Sequence, residues 1–153
     1  MMTLSESNTG MVVTMDIGDV TNIHPKQKKP VGERLALLAL KRDYGKSEIV
    51  DSGPLFSNYV IEGSAVRIRF TNVGGGLSSR DGQPLTHFTI AGDDHQFVDA
   101  EAVIDGDTIV VSSEVVTKPF AVRYGWGNGD KPNLSNKEGL PASSFRTDQW
   151  PIE

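Results

Sequence analysis

The stretch that decides the expected fold is residues 11–40, MVVTMDIGDVTNIHPKQKKPVGERLALLAL. Its first five residues are apolar apart from Thr14 and do not alternate, which is typical of a strand covered on both faces of a parallel sheet. A polar loop follows at 16–24, and then Val31, Leu35 and Leu38 recur with the spacing of an amphipathic helix. The stretch therefore predicts a strand, a loop and a helix. In open α/β sheets, ligands and catalytic groups gather in such loops.

The loop concentrates polar side chains. Asp16, Asp19, Asn22 and His24 lie within nine residues of one another. A histidine in this position can transfer protons, because its ordinary pKa lies near neutral pH. The spacing alone is equally compatible with a histidine that is merely solvated at the start of a helix.

Two long motifs carry a resemblance to a known family. They are DIGDVTNIHPKQKKPVGERLALLAL at 16–40 and GWGNGDKPNLSNKEGLPASSFRTDQWP at 125–151. Together they resemble the C-terminal portion of sialate O-acetylesterases, which are carbohydrate esterases of the SGNH hydrolase superfamily. The resemblance implies a serine esterase that removes acetyl groups from sugars without a metal or organic cofactor. It assigns His24 as the base.

The chain departs from the family pattern at two places. It has neither a Gly-Asp-Ser or Gly-Gln-Ser motif nor a Gly-x-Ser-x-Gly elbow, so the nucleophile is missing. The positions where the superfamily carries an acidic partner of the histidine are Thr21 and Asn22. Asn22 can orient an imidazole through its side-chain oxygen, as asparagine does in Cys-His-Asn enzymes. Asp19 or Asp16 can serve instead if the loop folds back, and the choice stays open.

A single strand and helix cannot form a parallel sheet, because a central strand needs hydrogen-bonding neighbours on both edges. We therefore expect residues 1–45 to be the terminal strand-loop-helix of an SGNH-like parallel-sheet domain. The expected partner is a missing N-terminal catalytic segment, in cis or in trans. The chain alone is expected to be inactive.

After residue 46 the pattern changes to period two. Strands are expected at 59–61, 65–71, 87–90, 97–104, 108–112 and 120–124, with turns at 62–64 and 105–107. This spacing is typical of an antiparallel β-sandwich, which we assign to 46–153. The glycine-rich segment 72–84 is interpreted as a hairpin connection. The segment from 125 onward is interpreted as an irregular tail pinned by aromatic side chains.

Composition excludes several classes of protein. The formal net charge of −5 and the pI near 5.2 argue against nucleic acid as a partner. There is no cysteine and no apolar run long enough to span a bilayer, so neither disulfides nor membrane insertion is expected. The N-terminus does not have the features of a signal peptide. The family resemblance nevertheless suggests a periplasmic or secreted enzyme.

A competing hypothesis is a non-catalytic β-sandwich module that binds carbohydrate or a partner protein. Tyr124 and Trp126 offer flat aromatic faces that suit a pyranose ring, although buried anchoring is the commoner role of such side chains. The turn containing Asp93, Asp94 and His95 has metal-binding residue types, but a turn without a metal is the commoner reason for that composition.

Overall fold

The computed structural model describes the backbone of residues 2–151 and the side chains of residues 4–151. A short 3-10 turn at Met2–Ser5 precedes a single α-helix among these residues, α1 (Lys29–Arg42). Ten strands follow: β1 (Leu55–Glu62), β2 (Ala65–Thr71), β3 (Leu77–Ser79), β4 (Phe88–Ala91), β5 (Val98–Asp99), β6 (Glu101–Asp105), β7 (Thr108–Ser112), β8 (Ala121–Tyr124), β9 (Leu134–Asn136) and β10 (Phe145–Arg146).

The strands form two four-stranded sheets and one two-stranded sheet. The first sheet has the order β1-β2-β7-β6, the second has the order β10-β8-β4-β5, and β3 pairs with β9. Every pairing between these strands is antiparallel. The architecture fits the β-sandwich expected after residue 46.

The α/β part of the expected fold class is wrong. Residues 11–15 form no strand, and no parallel pairing occurs within 2–151. The segment instead turns at its end, where the Ile17 N–H donates to the Thr14 carbonyl (3.2 Å), and the Val13 carbonyl accepts from a side chain, Arg34 (2.6 Å). Its apolar residues therefore pack as irregular chain beside the sandwich.

The two main sheets meet in an aromatic centre around Phe145. The Phe145 ring is stacked on Phe56 of the first sheet at 4.9 Å between centroids and on Tyr124 of the second sheet at 5.6 Å. Phe70 and Phe88 contact its edges at 5.8 and 6.4 Å. Phe145, which lies in the segment that was expected to be an irregular tail, thus joins the two sheets.

Most of the expected strands are confirmed. In β2, Val66 and Ile68 are fully buried, while Arg67 reaches Glu62 and Asp105 on the outer face at 2.8 and 2.7 Å. The expected strand at 97–104 is divided into β5 and β6. Three short strands, β3, β9 and β10, were not expected.

Helix α1 begins as expected but presents a different face. Pro30 lies in its first turn, and Gly45 adopts the left-handed conformation (φ 68°) expected after the helix end. The expected apolar stripe is only partly right, since Leu38 is buried whereas Leu35 is 51% exposed. The buried polar residue of the helix is Arg34. No helix of the described residues is long and apolar enough to cross a membrane.

Asn133 joins the tail to the segment between β3 and β4. Its amide nitrogen donates to Asp81 (2.9 Å), and its oxygen accepts from the Thr86 N–H (3.0 Å). Hydrogen bonds from Asn133, Ser79 and the Gln83 backbone, in that order, lower the pKa of Asp81 to about 2. The carboxylate is therefore ionised in the folded state over nearly the whole pH range.

This carboxylate predicts a pH dependence of stability. Since the pKa of Asp81 is depressed on folding, its contribution is present above its ordinary value of 3.8 and is lost as the pH falls toward about 2. In urea titrations between these limits, the free energy of unfolding should decline less steeply with acidification for Asp81→Asn than for the unmodified chain. Equal slopes would show that Asp81 carries none of this dependence.

Candidate functional site

The loop 16–24 is shaped by two successive Asx turns. The Asp19 carboxylate accepts from the Thr21 N–H (2.9 Å) and hydroxyl (2.8 Å), and the Asn22 side-chain oxygen accepts from the His24 N–H (2.9 Å). The Thr21 hydroxyl is the main cause of a lowered pKa for Asp19. Both side chains therefore set the path of the backbone that leads to His24.

The His24 side chain lies at the surface. The residue is exposed, and among the hydrogen bonds of residues 4–151 none joins its ring to Asp19 or Asn22. The structure thus places the three expected catalytic residues on one short loop. It does not bring either partner onto the imidazole.

The base of this loop is held by a buried ion pair. Both oxygens of Asp16 accept from Arg34 of α1, at 2.8 and 2.6 Å, and the two side chains are only 6% and 10% exposed. Arg80, on the segment after β3, approaches the same carboxylate at 3.4 Å. Since Asp16 is occupied by two guanidinium groups, it is not free to serve as the partner of His24.

One side of the loop borders a groove. Asp19 and Val20 line this groove together with Asn128, Asp130, Lys131 and Ser144. The glycine-rich segment 125–131 therefore lies directly across from the loop 16–24. Sequence alone placed these two segments in separate domains.

A larger open cavity of about 920 Å³ adjoins the groove. The two share Gly127, Asn128 and Ser144. The rest of the cavity lining is largely aromatic and basic: His95, Phe97, Arg123, Trp126 and Trp150. Such a mixture of flat apolar faces and hydrogen-bonding groups is typical of sites for small polar ligands.

The two proposed sugar contacts have different positions. Trp126 is 39% exposed and lines the cavity. Tyr124 is fully buried, its hydroxyl accepts from the Leu134 N–H (3.0 Å), and burial raises its pKa. Tyr124 is thus a core anchor, and Trp126 is the exposed member of the pair, with the guanidinium groups of Arg123 and Arg146 each 5.6 Å from its ring centroid.

Arg123, which lines the cavity, forms an ion pair with the buried Asp148. Arg123 donates two hydrogen bonds to Asp148, at 2.9 and 3.0 Å, and its guanidinium lies 4.0 Å above the Phe97 ring. Burial raises the pKa of Asp148, but the hydrogen bonds and charge of Arg123 outweigh it, and the net pKa is lowered. The pair therefore stays charged and keeps Arg123 flat against the aromatic wall.

The other two histidines have structural contacts. The His87 Nε2 lies 4.0 Å from the Asp130 Oδ1, and the His95 ring is stacked on Trp150 at 3.7 Å. Asp94 accepts from the Gln96 N–H (3.1 Å) and so forms the turn. Over residues 4–151 there is no cluster of acidic and histidine side chains that could hold a metal.

Sequence reasoning missed several residues that shape the site. Arg34, Arg80 and Trp150 were not singled out for it. A signal for Arg34 was present, because it lies four residues before the buried Leu38 and hence on the same helix face. Arg80 and Trp150 are brought to the site by tertiary structure, which no local pattern encodes.

Comparison with solved structures finds a close match. The fold resembles the crystal structure of a novel carbohydrate acetylesterase from Xanthomonas citri, with a TM-score of 0.84 and 46% sequence identity. The match covers 88% of this chain and 31% of that protein. The chain therefore spans just under a third of the length of this structural relative. No family model and no curated protein matches the chain.

Proposed function

We propose that this chain is part of a carbohydrate acetylesterase and supplies the base, His24, that activates a nucleophile located on polypeptide outside residues 1–153. The observation that carries the proposal is the 46% identity to a carbohydrate acetylesterase over 88% of the chain. The substrate class is therefore an acetylated carbohydrate. Sialate is an expectation from the sequence motifs alone.

In this mechanism a serine hydroxyl attacks the carbonyl carbon of the acetyl ester. His24 accepts the hydroxyl proton as the new C–O bond forms, and it then donates that proton to the departing sugar oxygen as the ester bond breaks. Water, deprotonated by His24, then attacks the carbonyl carbon of the acetyl-enzyme; the bond to the serine oxygen breaks, His24 returns the proton to that oxygen, and acetate leaves. The donors that stabilise the oxyanion also belong to polypeptide outside this chain.

The loop geometry supports specific roles for the two other candidates. Asn22 holds the backbone of His24 through its side-chain oxygen, which fixes the point from which the imidazole projects. Asp19 is ionised and lines the groove, so it can stabilise an imidazolium that forms nearby. We assign Asn22 to positioning and Asp19 to electrostatic stabilisation.

The exposed apolar residues fit a surface that other polypeptide covers. Val20 and Ile23 of the loop are 67% and 90% exposed, and Leu35 and Tyr44 are 51% and 72% exposed. Exposed large apolar side chains on one stretch of sequence, 20–44, are compatible with an interaction surface. We propose that the polypeptide with the nucleophile packs here and so meets His24.

The proposal is tested with a chimera in which this chain replaces the matching segment of the Xanthomonas citri acetylesterase. We expect the chimera to release acetate from acetylated oligosaccharides, and we expect no release from the isolated chain. The same enzyme without the segment is the control. A folded chimera without activity would overturn the proposal, as would turnover of p-nitrophenyl acetate by the isolated chain that is lost on His24→Ala.

The second candidate function is saccharide binding by the aromatic cavity. It is favoured by Trp126, whose exposed ring faces a cavity of sufficient size beside Arg123. On this proposal the isolated chain binds oligosaccharides even though it lacks a nucleophile.

The Trp126→Ala variant separates this function from the first. Truncating a central aromatic anchor costs about 2 kcal/mol, so we expect about 30-fold weaker binding in calorimetric titration of the isolated chain with oligosaccharides. Tyr44→Ala, which removes an exposed aromatic ring remote from the cavity, should leave the affinity unchanged. Equal affinities of all three proteins would exclude the cavity as the site.

A further inference from the structure

We infer that Arg34 and Arg80 are positioning residues, which together hold Asp16 so that the loop 17–24 is presented to the groove in one conformation. The catalytic consequence rests on the proposed role of His24. The claim that the two arginines restrict the loop to one conformation does not depend on that role, because it concerns this chain alone. Neither arginine is among the residues that line the groove or the cavity.

Arg34 closes the loop at its base. It belongs to α1, which follows the loop, and it contacts Asp16 and the Val13 carbonyl, which precede the loop. One guanidinium thus joins the two ends of the segment through three hydrogen bonds. Bidentate pairs of this kind fix direction as well as distance, because both partners are planar.

Arg80 joins the closed loop to the sandwich. Its side chain reaches the Asp16 carboxylate at 3.4 Å, while its backbone N–H donates to the Asn133 carbonyl at 2.9 Å. Asn133 is itself buried and bonded to Asp81 and Thr86. Arg80 therefore links the base of the loop to a hydrogen-bonded part of the sandwich.

The loop also contacts the sandwich by packing. Val20 lies beside Gly129, and Met15 lies beside Gly125, both on the segment across the groove. These apolar contacts set a distance but little orientation, since they are not directional. The ion pair with Arg80 adds a charge–charge link at 3.4 Å between the loop base and the sandwich, and its loss should leave the fold intact while the loop becomes more mobile.

The structural part is tested by amide hydrogen exchange on the isolated chain. Arg80→Ala should raise the exchange rates of residues 17–24 at least about tenfold without changing those of β2, β7 and β8. Arg69→Ala is the matched control, since it removes an exposed arginine from the outer face of β2. Unchanged exchange of the loop in Arg80→Ala would overturn the inference.

The catalytic part is tested in the chimera. Because a small misplacement of a catalytic group can cost up to about 100-fold in rate, Arg80→Ala should lower kcat by about 10- to 100-fold. KM and Tm should stay close to those of the parent. Arg80→Lys, which keeps the charge, should recover part of kcat.

The outcomes separate the two proposals. An inactive parent chimera would contradict the proposed function, and the exchange experiment would still decide whether Arg80 orders the loop. A fall in Tm that matches the fall in kcat, or a loss confined to KM, would overturn the positioning role.

Discussion

His24→Ala in the chimera is expected to lower kcat by about 10⁴-fold or more, because a general base that also returns its proton to the leaving group acts in every step. KM should change little, since the ring contributes to the reaction and not to sugar binding. Initial rates of acetate release over a range of substrate concentrations provide both constants.

Three further variants compare the effect of His24→Ala with the effects of changing the other loop residues and a control histidine. Asp19→Ala and Asn22→Ala are each expected to lower kcat by about 10- to 100-fold, which is less than the loss of the base itself. His87→Ala is the matched histidine control and should keep kcat within a small factor of the parent. A His24→Ala chimera with the activity of the His87→Ala chimera would remove His24 from the mechanism.

Phe145→Ala is expected to destabilise the isolated chain by about 3–5 kcal/mol, the usual cost of deleting a buried aromatic ring. The ring is only 5% exposed and contacts aromatic residues of both main sheets. Its removal should therefore leave a cavity at the point where the sheets meet. Urea unfolding followed by circular dichroism measures the change.

Phe120→Ala provides the comparison for Phe145. Phe120 is 49% exposed and is stacked on Trp150 at 5.4 Å. Loss of such a surface pair should cost only about 1 kcal/mol. Similar destabilisation by both variants would contradict the view that Phe145 joins the sheets.

The β-strands could be predicted from sequence wherever side chains alternate. Val66, Ile68 and Arg67 differ enough in polarity to reveal the two faces of β2, and Gly63 and Gly106 mark turns that require a positive φ. Strands β3, β9 and β10 have only two or three residues, which is too short for a period to be recognised. They form because tertiary partners satisfy their backbone groups.

The N-terminal part could not be predicted correctly from apolar content. The apolar run at 11–15 has the composition of a buried strand, but a strand requires a hydrogen-bonding neighbour, and the described chain offers none. The helix at 29–42 was predicted, whereas its buried face was not. Arg34 is buried because its guanidinium pairs with Asp16, and Asp16 lies 18 residues away in the chain.

The catalytic roles of Asp19, Asn22 and His24 stay a prediction, and the surroundings of their loop could not be predicted from sequence. Asp19, Asn22 and His24 share a loop, as the motif indicated, and hydrogen bonds within the loop explain their spacing. The groove and cavity opposite depend on segment 125–131, which sequence could not place next to this loop. Long-range packing of that kind has no local pattern.

The central claim is that this chain supplies the base and that another part of the enzyme supplies the nucleophile. Acid quenching of the chimera during turnover, followed by peptide mass spectrometry, locates the acetyl group of the intermediate. We expect it on a serine of the Xanthomonas citri portion and expect it to be absent after His24→Ala. An acetyl group on a residue of this chain, such as Ser144 between the groove and the cavity, would contradict the account.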